Sequence, residues 1–199
     1  RCITNWRVVP MQSSNWWRDT MNPITLNGDW VQSVKDSIPD HSKDIKLNID
    51  SVINRSGLDP VDTHAIAYVS ALAAGNGGLA FEIEHNSPLF LAESEREAAK
   101  TAASLMGQNN IWYPFVEMAG DEGMKGLPAS LRMNAYATHG GVSKKKFEMY
   151  SLAASIIGKC HFCVKAHYDT LKKEGMTTQE LMAIGRIAAV VNSIGKISI

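Results

Sequence analysis

The stretch "KKKFEMYSLAASIIGKCHFCVKAHYDTLKKEG" (residues 144–175) decides the fold class of this chain. The segment before Gly158 places its apolar residues at helical spacing and has no β-rich run. We therefore predict two helices, the first ending at Gly158 and the second at Gly175. The pair Cys160 and Cys163 then lies at the start of a helix that follows another helix, not at a strand-to-helix junction.

Helix signals recur along the rest of the chain. Helix starts are predicted at Asp59 followed by Pro60, at Ser94 with Glu97, and at Thr177 with Glu180. The segment 110–141, rich in glycine and aromatic residues, is predicted to form loops with one or two short helices. Residues 1–28, which begin with Arg, are interpreted as a leader of uncertain origin. The prediction is an all-α fold, a single-domain helical bundle over residues 29–199.

Composition excludes several classes of function. The chain of 199 residues has 20 basic and 20 acidic residues, so no charge excess favours nucleic acid, and Lys144–Lys146 are interpreted as a solvated helix face. No apolar run approaches the roughly 20 residues that span a bilayer. There is no secretory signal pattern, and three cysteines are too few for a secreted disulfide framework. We therefore expect a cytoplasmic protein that binds neither membrane nor nucleic acid.

The cysteine helix groups three reactive side chains. On a helix, Cys160, Cys163 and His167 fall within roughly 60° of one another. The two cysteines, at i and i+3, can approach closely enough for a disulfide. Cys160 in the first turn would also have its thiolate stabilised by free backbone N–H groups. Such a group is typical of redox chemistry, of a zinc site or of a buried core.

The residues favour the redox interpretation. Free cysteine is often buried, but a core role does not explain two cysteines and a histidine on one face at a helix start. A zinc site needs a fourth ligand, and the chain has no second C-x-x-C, although Glu148 could complete one. A redox pair needs only the two thiols and a nearby base.

The pattern E-x11-C-x-x-C-x3-H, formed by Glu148, Cys160, Cys163 and His167, resembles the alkylhydroperoxidase AhpD family of the carboxymuconolactone-decarboxylase-like superfamily. The resemblance continues in flanking segments and covers roughly residues 29–195. It implies an all-helical subunit, a homotrimer and a thiol peroxidase that reduces organic hydroperoxides. It further implies no bound cofactor, reduction by dihydrolipoamide on an α-keto-acid dehydrogenase component, and electron transfer to the peroxiredoxin AhpC.

Carried over by position, the resemblance makes Cys163 the attacking thiolate and Cys160 the thiol that closes the disulfide. His167 and Glu148 would form the proton relay that activates Cys163. The first-turn position argues for Cys160 as the more acidic thiol, whereas the adjacent imidazole argues for Cys163, which we favour. Glu148 can join the site only if the chain turns at Gly158 and the two helices pack side by side.

One position departs from the family pattern. A further relay histidine directly before the second cysteine is replaced by Phe162, and a histidine stands instead at His161. A shift of one residue rotates the imidazole by about 100° around the helix, so His161 is kept only as a candidate catalytic residue.

Three alternatives to a peroxidase stay open. The chain could be an electron-transfer adaptor for a peroxiredoxin or a zinc-binding structural module. Decarboxylation of a muconolactone ranks last, because it would leave the cysteine pair without a role.

Overall fold

The computed structural model describes residues 29–87, 89 and 91–197, and every regular element in these ranges is helical. This confirms the predicted all-α single-domain fold, while the predicted leader lies outside the described residues. None of the described helices is both long and apolar enough to cross a membrane. The α-helices are α1 (Trp30–Ser37), α2 (Lys43–Asn54), α3 (Pro60–Ala73), α4 (Gly77–Asn86), α5 (Glu93–Ala119), α6 (Glu122–Lys125), α7 (Lys144–Ile157), α8 (His161–Lys173) and α9 (Thr178–Ile194), with 3-10 turns at Asp40–Ser42 and Asn134–Gly141.

Helices α3 and α7 form the centre of the bundle. Nine consecutive residues of each helix, 63–71 and 147–155, are buried. A helix that is buried on all sides must be covered by other helices, and α5 and α9 both pack against this pair. Helices α1, α2 and α8 each bury one face and complete the bundle around this centre.

Local capping signals explain most helix boundaries. The side chain of Asp59 accepts a hydrogen bond from the Val61 N–H at 2.9 Å, directly before Pro60. Thr177 and Glu180 form the reciprocal capping box that the sequence predicts. Both signals work because the partner groups lie within one helical turn.

The predicted capping box at Ser94 and Glu97 is wrong. Helix α5 begins earlier, at Glu93, and Ala92 occupies the N-cap position without a side-chain hydrogen bond. The guanidinium of Arg96 donates to the Leu91 carbonyl at 2.7 Å, which fastens the chain just before the helix. An acidic first turn also favours this earlier start through the helix dipole.

The segment 110–141 is more helical than predicted. Helix α5 continues through Pro114 and ends at Ala119, where Gly120 adopts a left-handed φ of 64°. Packing explains the continuation, because this helix lies against α7 and the Asn110 amide donates to the Ala154 carbonyl at 3.0 Å. Tertiary contacts of this kind override the weak local preference of a glycine- and proline-containing segment.

The three lysines at the start of α7 do not all lie on a solvated face as expected. The Lys146 ammonium lies 2.6 Å from Glu95 and 3.0 Å from Asp62, which belong to α5 and α3. The hydroxyl of Tyr150, whose side chain is fully buried, donates to the same Glu95 carboxylate. This polar cluster therefore links α3, α5 and α7. Removing one of its members would leave a buried charge unpaired.

The chain turns sharply between α7 and α8, as the sequence predicts. Gly158 is the C-cap of α7, Lys159 takes a left-handed φ of 56°, and Cys160 is the N-cap of α8. A Cβ on Gly158 would overlap the Asn110 side chain, so glycine is required by close packing. The two helices then fold back against each other and bring their inner faces together.

Candidate functional site

The cysteine pair lies at the N-terminus of α8. Cys160 and Cys163 form a disulfide, with their Cα atoms 5.2 Å apart. The Sγ of Cys160 accepts a hydrogen bond from the backbone N–H of Cys163 at 3.2 Å. Cys160 is completely buried, whereas Cys163 keeps 3% of its surface exposed. The backbone therefore stabilises negative charge on the Cys160 sulfur, and Cys163 is the more accessible of the two.

A buried carboxylate–imidazole pair lies on the facing surfaces of α7 and α8. The Nδ1 of His167 is 2.7 Å from Oε2 of Glu148, and their side chains are only 9% and 2% exposed. His167 lies one helical turn beyond Cys163. The condition set by the sequence, that the chain turns at Gly158 for Glu148 to reach the site, is met.

A third residue, Tyr136, completes the surroundings of Glu148. Its hydroxyl donates to Oε1 of Glu148, the oxygen that His167 does not contact. Tyr136 belongs to the 3-10 turn before α7, where Gly140 packs so closely on Ala98 that a Cβ would clash. Sequence reasoning missed this tyrosine because no spacing rule connects a turn residue with a helix that starts eight residues later.

The hydrogen bonds determine the charge of Glu148. Burial, the largest single influence, raises the pKa of this carboxyl group, but the hydrogen bonds from His167 and Tyr136 outweigh it and the pKa is lowered. The positive charge of Lys144 acts in the same direction. Glu148 is therefore an ionised acceptor at neutral pH, which fixes a proton on Nδ1 of His167.

The opposite nitrogen of His167 faces helix α5. Its Nε2 lies 3.2 Å from Sδ of Met106, a residue that is completely buried. The side-chain amide of Asn109 also points a donor at this sulfur, at 4.0 Å. Neither Met106 nor Asn109 was singled out from the sequence, because 61 residues separate Met106 from His167.

His161 lies apart from this group. Its side chain is 85% exposed, and its nearest charged partner is the similarly exposed Glu117 at 3.9 Å. Phe162 is also exposed, and its ring packs on Tyr113 with centroids 4.6 Å apart. The structure thus brings Cys160, Cys163, His167 and Glu148 together but leaves His161 at the surface.

Possible metal ligands are sparse around the site. Within the ranges that the structure describes, no three His, Cys, Asp or Glu side chains form a group that could hold a metal ion. Both cysteine sulfurs are occupied by the disulfide bond. The arrangement is suited to thiol–disulfide exchange with proton transfer through an imidazole.

Fold and site together define an all-helical dithiol protein. The sequence model of the carboxymuconolactone decarboxylase family matches residues 124–198, a range that includes α7, α8 and the disulfide. An alkyl hydroperoxide reductase AhpD from Coxiella burnetii is 41% identical over 172 residues, which make up 85% of this chain and 97% of that protein.

Further relatives have the same name. An alkyl hydroperoxide reductase AhpD from Rhodospirillum centenum is 35% identical over 84% of this chain and 89% of that protein. One from a Bradyrhizobium species is 36% identical over 82% of this chain and 90% of that protein. The chain therefore belongs to the AhpD family of alkyl hydroperoxide reductases, which confirms the resemblance seen in its sequence.

Proposed function

We propose that this chain is a thiol peroxidase that reduces organic hydroperoxides through the Cys160–Cys163 pair. The observation that supports the proposal is the joint position of this disulfide and the buried Glu148–His167 pair on two helices that meet at the site. The cysteine pair can donate or accept electrons, and the Glu148–His167 pair can move a proton.

In the oxidative half-reaction, the Cys163 thiolate attacks the terminal oxygen of the hydroperoxide. The O–O bond breaks, Cys163 becomes a sulfenic acid, and the departing alkoxide takes a proton from the His167 imidazolium to become an alcohol. The Cys160 thiol then attacks the Cys163 sulfur. The S–S bond forms, and the hydroxyl group leaves with the thiol proton as water.

In the reductive half-reaction, dihydrolipoamide on an α-keto-acid dehydrogenase component supplies two thiols. One of its thiolates attacks Cys163, the more accessible sulfur, and Cys160 leaves as a thiolate. The hydrogen bond from the Cys163 N–H stabilises this leaving group. The second reductant thiol then attacks its partner sulfur and closes the lipoamide disulfide. Cys163 is released as a thiolate, and the proton of the second thiol passes to the Cys160 thiolate.

The direct test combines thiol counting with single substitutions. Reduced protein is mixed with one equivalent of an organic hydroperoxide, and free thiols and residual peroxide are measured together. We expect two thiols lost for each hydroperoxide consumed, and no rapid consumption by Cys163→Ser. Wild-type turnover by Cys163→Ser would contradict the assignment of the attacking sulfur.

We further propose that the protein passes electrons to the peroxiredoxin AhpC. A Cys160→Ser variant should trap a mixed disulfide between Cys163 and AhpC, because the second thiol that would resolve it is missing. A covalent adduct detected by mass spectrometry would support the partnership. If only the adduct forms and no direct peroxide turnover is measured, the adaptor role replaces the peroxidase role.

The assembly and location belong to the same proposal. A homotrimer follows from the family resemblance, and the apolar side chains exposed along α5 are of the type that subunit contacts cover. They include Ile111, Phe115 and Met118. A cytoplasmic location suits a cysteine pair that must return to the reduced state. Sedimentation analysis should give a trimer, and a monomer would contradict this part of the proposal.

A further inference from the structure

The buried sulfur of Met106 is an unusual neighbour for the ring of His167. The Nε2 atom lies 3.2 Å from Sδ, within the range of a hydrogen bond to sulfur. Met106 is completely buried on α5, and His167 is 7% exposed on α8. Water is therefore a poor competitor for this side of the imidazole.

The hydrogen-bonding capacity of the two side chains limits the state of the ring. A thioether sulfur can accept a hydrogen bond but has no proton to donate. An unprotonated Nε2 would therefore find no donor at Met106, whereas a protonated Nε2 finds an acceptor. The Asn109 amide, 4.0 Å from the same sulfur, approaches it with a donor as well.

The other ring nitrogen of His167, Nδ1, already has a hydrogen-bond partner. Glu148 accepts from Nδ1 at 2.7 Å, and Tyr136 occupies its second oxygen, so this carboxylate needs a donor from His167. With Nδ1 donating to Glu148, a second proton on Nε2 would find its acceptor at Met106. Such a ring would be an imidazolium paired with a buried carboxylate.

We propose that Met106 is a positioning residue that accepts the Nε2 proton of His167 while Cys160 and Cys163 are joined as a disulfide. The inference rests on the proposed peroxidase function, in which His167 gives this proton to the departing alkoxide and regains one from solvent once the disulfide has formed. Met106 is neither oxidised nor reduced in this role. When the disulfide is reduced, the Cys163 thiolate becomes a charged and therefore stronger acceptor one helical turn away.

The charges around the ring agree with this role. Glu148 faces it from α7, and Lys144 acts on that carboxylate from the same helix. Tyr136 approaches from the 3-10 turn, with ring centroids 6.4 Å apart, and α5 contributes the uncharged Met106. Among the described residues that contact the ring, Glu148 carries the charge that can balance a positive ring, and Met106 accepts the second proton of that ring.

The test measures the protonation of His167 directly. The full-length protein, labelled with ¹⁵N in its histidines and held in the disulfide form, is compared with Met106→Leu and Met106→Gln by the ring-nitrogen NMR shifts. His167 is assigned with a His167→Asn variant. Met176→Leu is the matched control, because Met176 is also buried but follows α8 at its far end.

We expect the ratio of doubly to singly protonated His167 near neutral pH to fall about tenfold in Met106→Leu. Met106→Gln should preserve the ratio, since its carboxamide oxygen is also an acceptor. Met176→Leu should leave it unchanged. A purely structural role for Met106 predicts the opposite order, because leucine is apolar and glutamine introduces a polar group into the core.

A change of less than twofold in Met106→Leu would overturn the inference, and so would an equal fall in both Met106 variants. The NMR readout needs no hydroperoxide, so it is separate from the proposed function. If the protein has no peroxidase activity but shows the expected protonation pattern, the proposed function is contradicted and the proposed role of Met106 is supported. If the wild type is active but the variants leave the His167 ratio unchanged, the role of Met106 is contradicted and the proposed function is supported.

Discussion

The Nδ1 of His167 lies 2.7 Å from Oε2 of Glu148, although 19 residues separate them in the chain. The contact exists because α7 and α8 fold back on each other at Gly158. Both side chains are almost completely buried, so neither can exchange its partner for water. Removal of one partner would leave the other uncompensated, which typically costs about 3–5 kcal/mol in stability when the lost group is charged.

The Glu148→Gln variant should separate the charge of this carboxylate from its shape. Glutamine retains an acceptor oxygen but cannot stabilise an imidazolium, so hydroperoxide reduction should fall by roughly 10²-fold or more. The measurement is the second-order rate of peroxide consumption by reduced protein. Glu117→Gln is the control, because Glu117 is exposed and lies 3.9 Å from the exposed His161. Equal rates for the two variants would rule out a role for the Glu148 charge.

The Tyr136→Phe variant should weaken the same carboxylate without removing it. Loss of the hydroxyl leaves Oε1 of Glu148 without its donor, at a cost of about 1–3 kcal/mol in the free energy of unfolding. Hydroperoxide reduction should fall less than in Glu148→Gln. Tyr68→Phe is the matched control, since Tyr68 donates to Glu84 at 3.0 Å outside the disulfide site. It should lower stability but not peroxide turnover.

Acid should reveal the contribution of Tyr136 to the charge of Glu148. The pKa of this group is lowered from its ordinary 4.5, so its contribution to stability is complete above that value and is lost as the pH falls through the lower folded value. Tyr136→Phe should raise the folded pKa of Glu148 and so reduce the difference between its unfolded and folded pKa values. Denaturant unfolding at pH 6 and pH 3 should therefore show a smaller acid-induced loss in the variant. An equal loss in both proteins would contradict this interpretation.

The sequence predicts those features of the fold and the site that depend on local rules. Each of these features depends on residues within one or two helical turns: the start of α8 at the cysteines, the turn at Gly158 and the capping box at Thr177. The position of Glu148 could be stated only as a condition, because it requires two helices to pack. Such packing is a tertiary property.

Two contacts of the site could not be predicted from spacing at all. Met106 reaches His167 from α5, across a separation of 61 residues, and Tyr136 reaches Glu148 from a turn. Methionine and tyrosine are common core residues, so their types alone do not mark a site. Spacing also does not predict that α5 continues through Pro114, because packing against α7 outweighs local helix propensity there.

Gly158→Ala should destabilise the protein through a steric clash and not through backbone strain. Gly158 has an ordinary helical φ of −75°, but an added Cβ would overlap the Asn110 side chain. We expect a loss of about 1–3 kcal/mol in the free energy of unfolding, measured with denaturant. In contrast, Gly185→Ala within α9 meets no atom within 4 Å and should stabilise by up to about 1 kcal/mol.

A second substitution tests the cause of the Gly158 effect. Asn110→Gly removes every side-chain atom that the new Cβ would meet, together with the hydrogen bond to Ala154. The double variant should therefore be less destabilised than the sum of the two single variants. A strictly additive loss would show that the close approach between Gly158 and Asn110 is not the source.

Buried His64 should make the protein less stable in mild acid. Trp30 donates its indole N–H to Nδ1 of His64 at 3.0 Å, and the Ser87 hydroxyl lies 2.8 Å from the same atom. An indole can only donate, so Nδ1 must be unprotonated in the folded protein. Burial lowers the pKa of His64 from its ordinary 6.5, against a smaller opposite effect of Asp29.

The sign of this effect follows from proton binding. Below pH 6.5 the unfolded chain takes up a proton at His64 that the folded protein resists, so stability falls with the pH until the lower folded pKa is reached. The slope for one proton is at most about 1.4 kcal/mol per pH unit. His64→Asn keeps a side-chain acceptor but does not titrate, so urea unfolding between pH 7.5 and 5 should show a shallower decline. His85→Asn, at an exposed position, should decline like the wild type, and an unchanged slope in His64→Asn would refute the assignment.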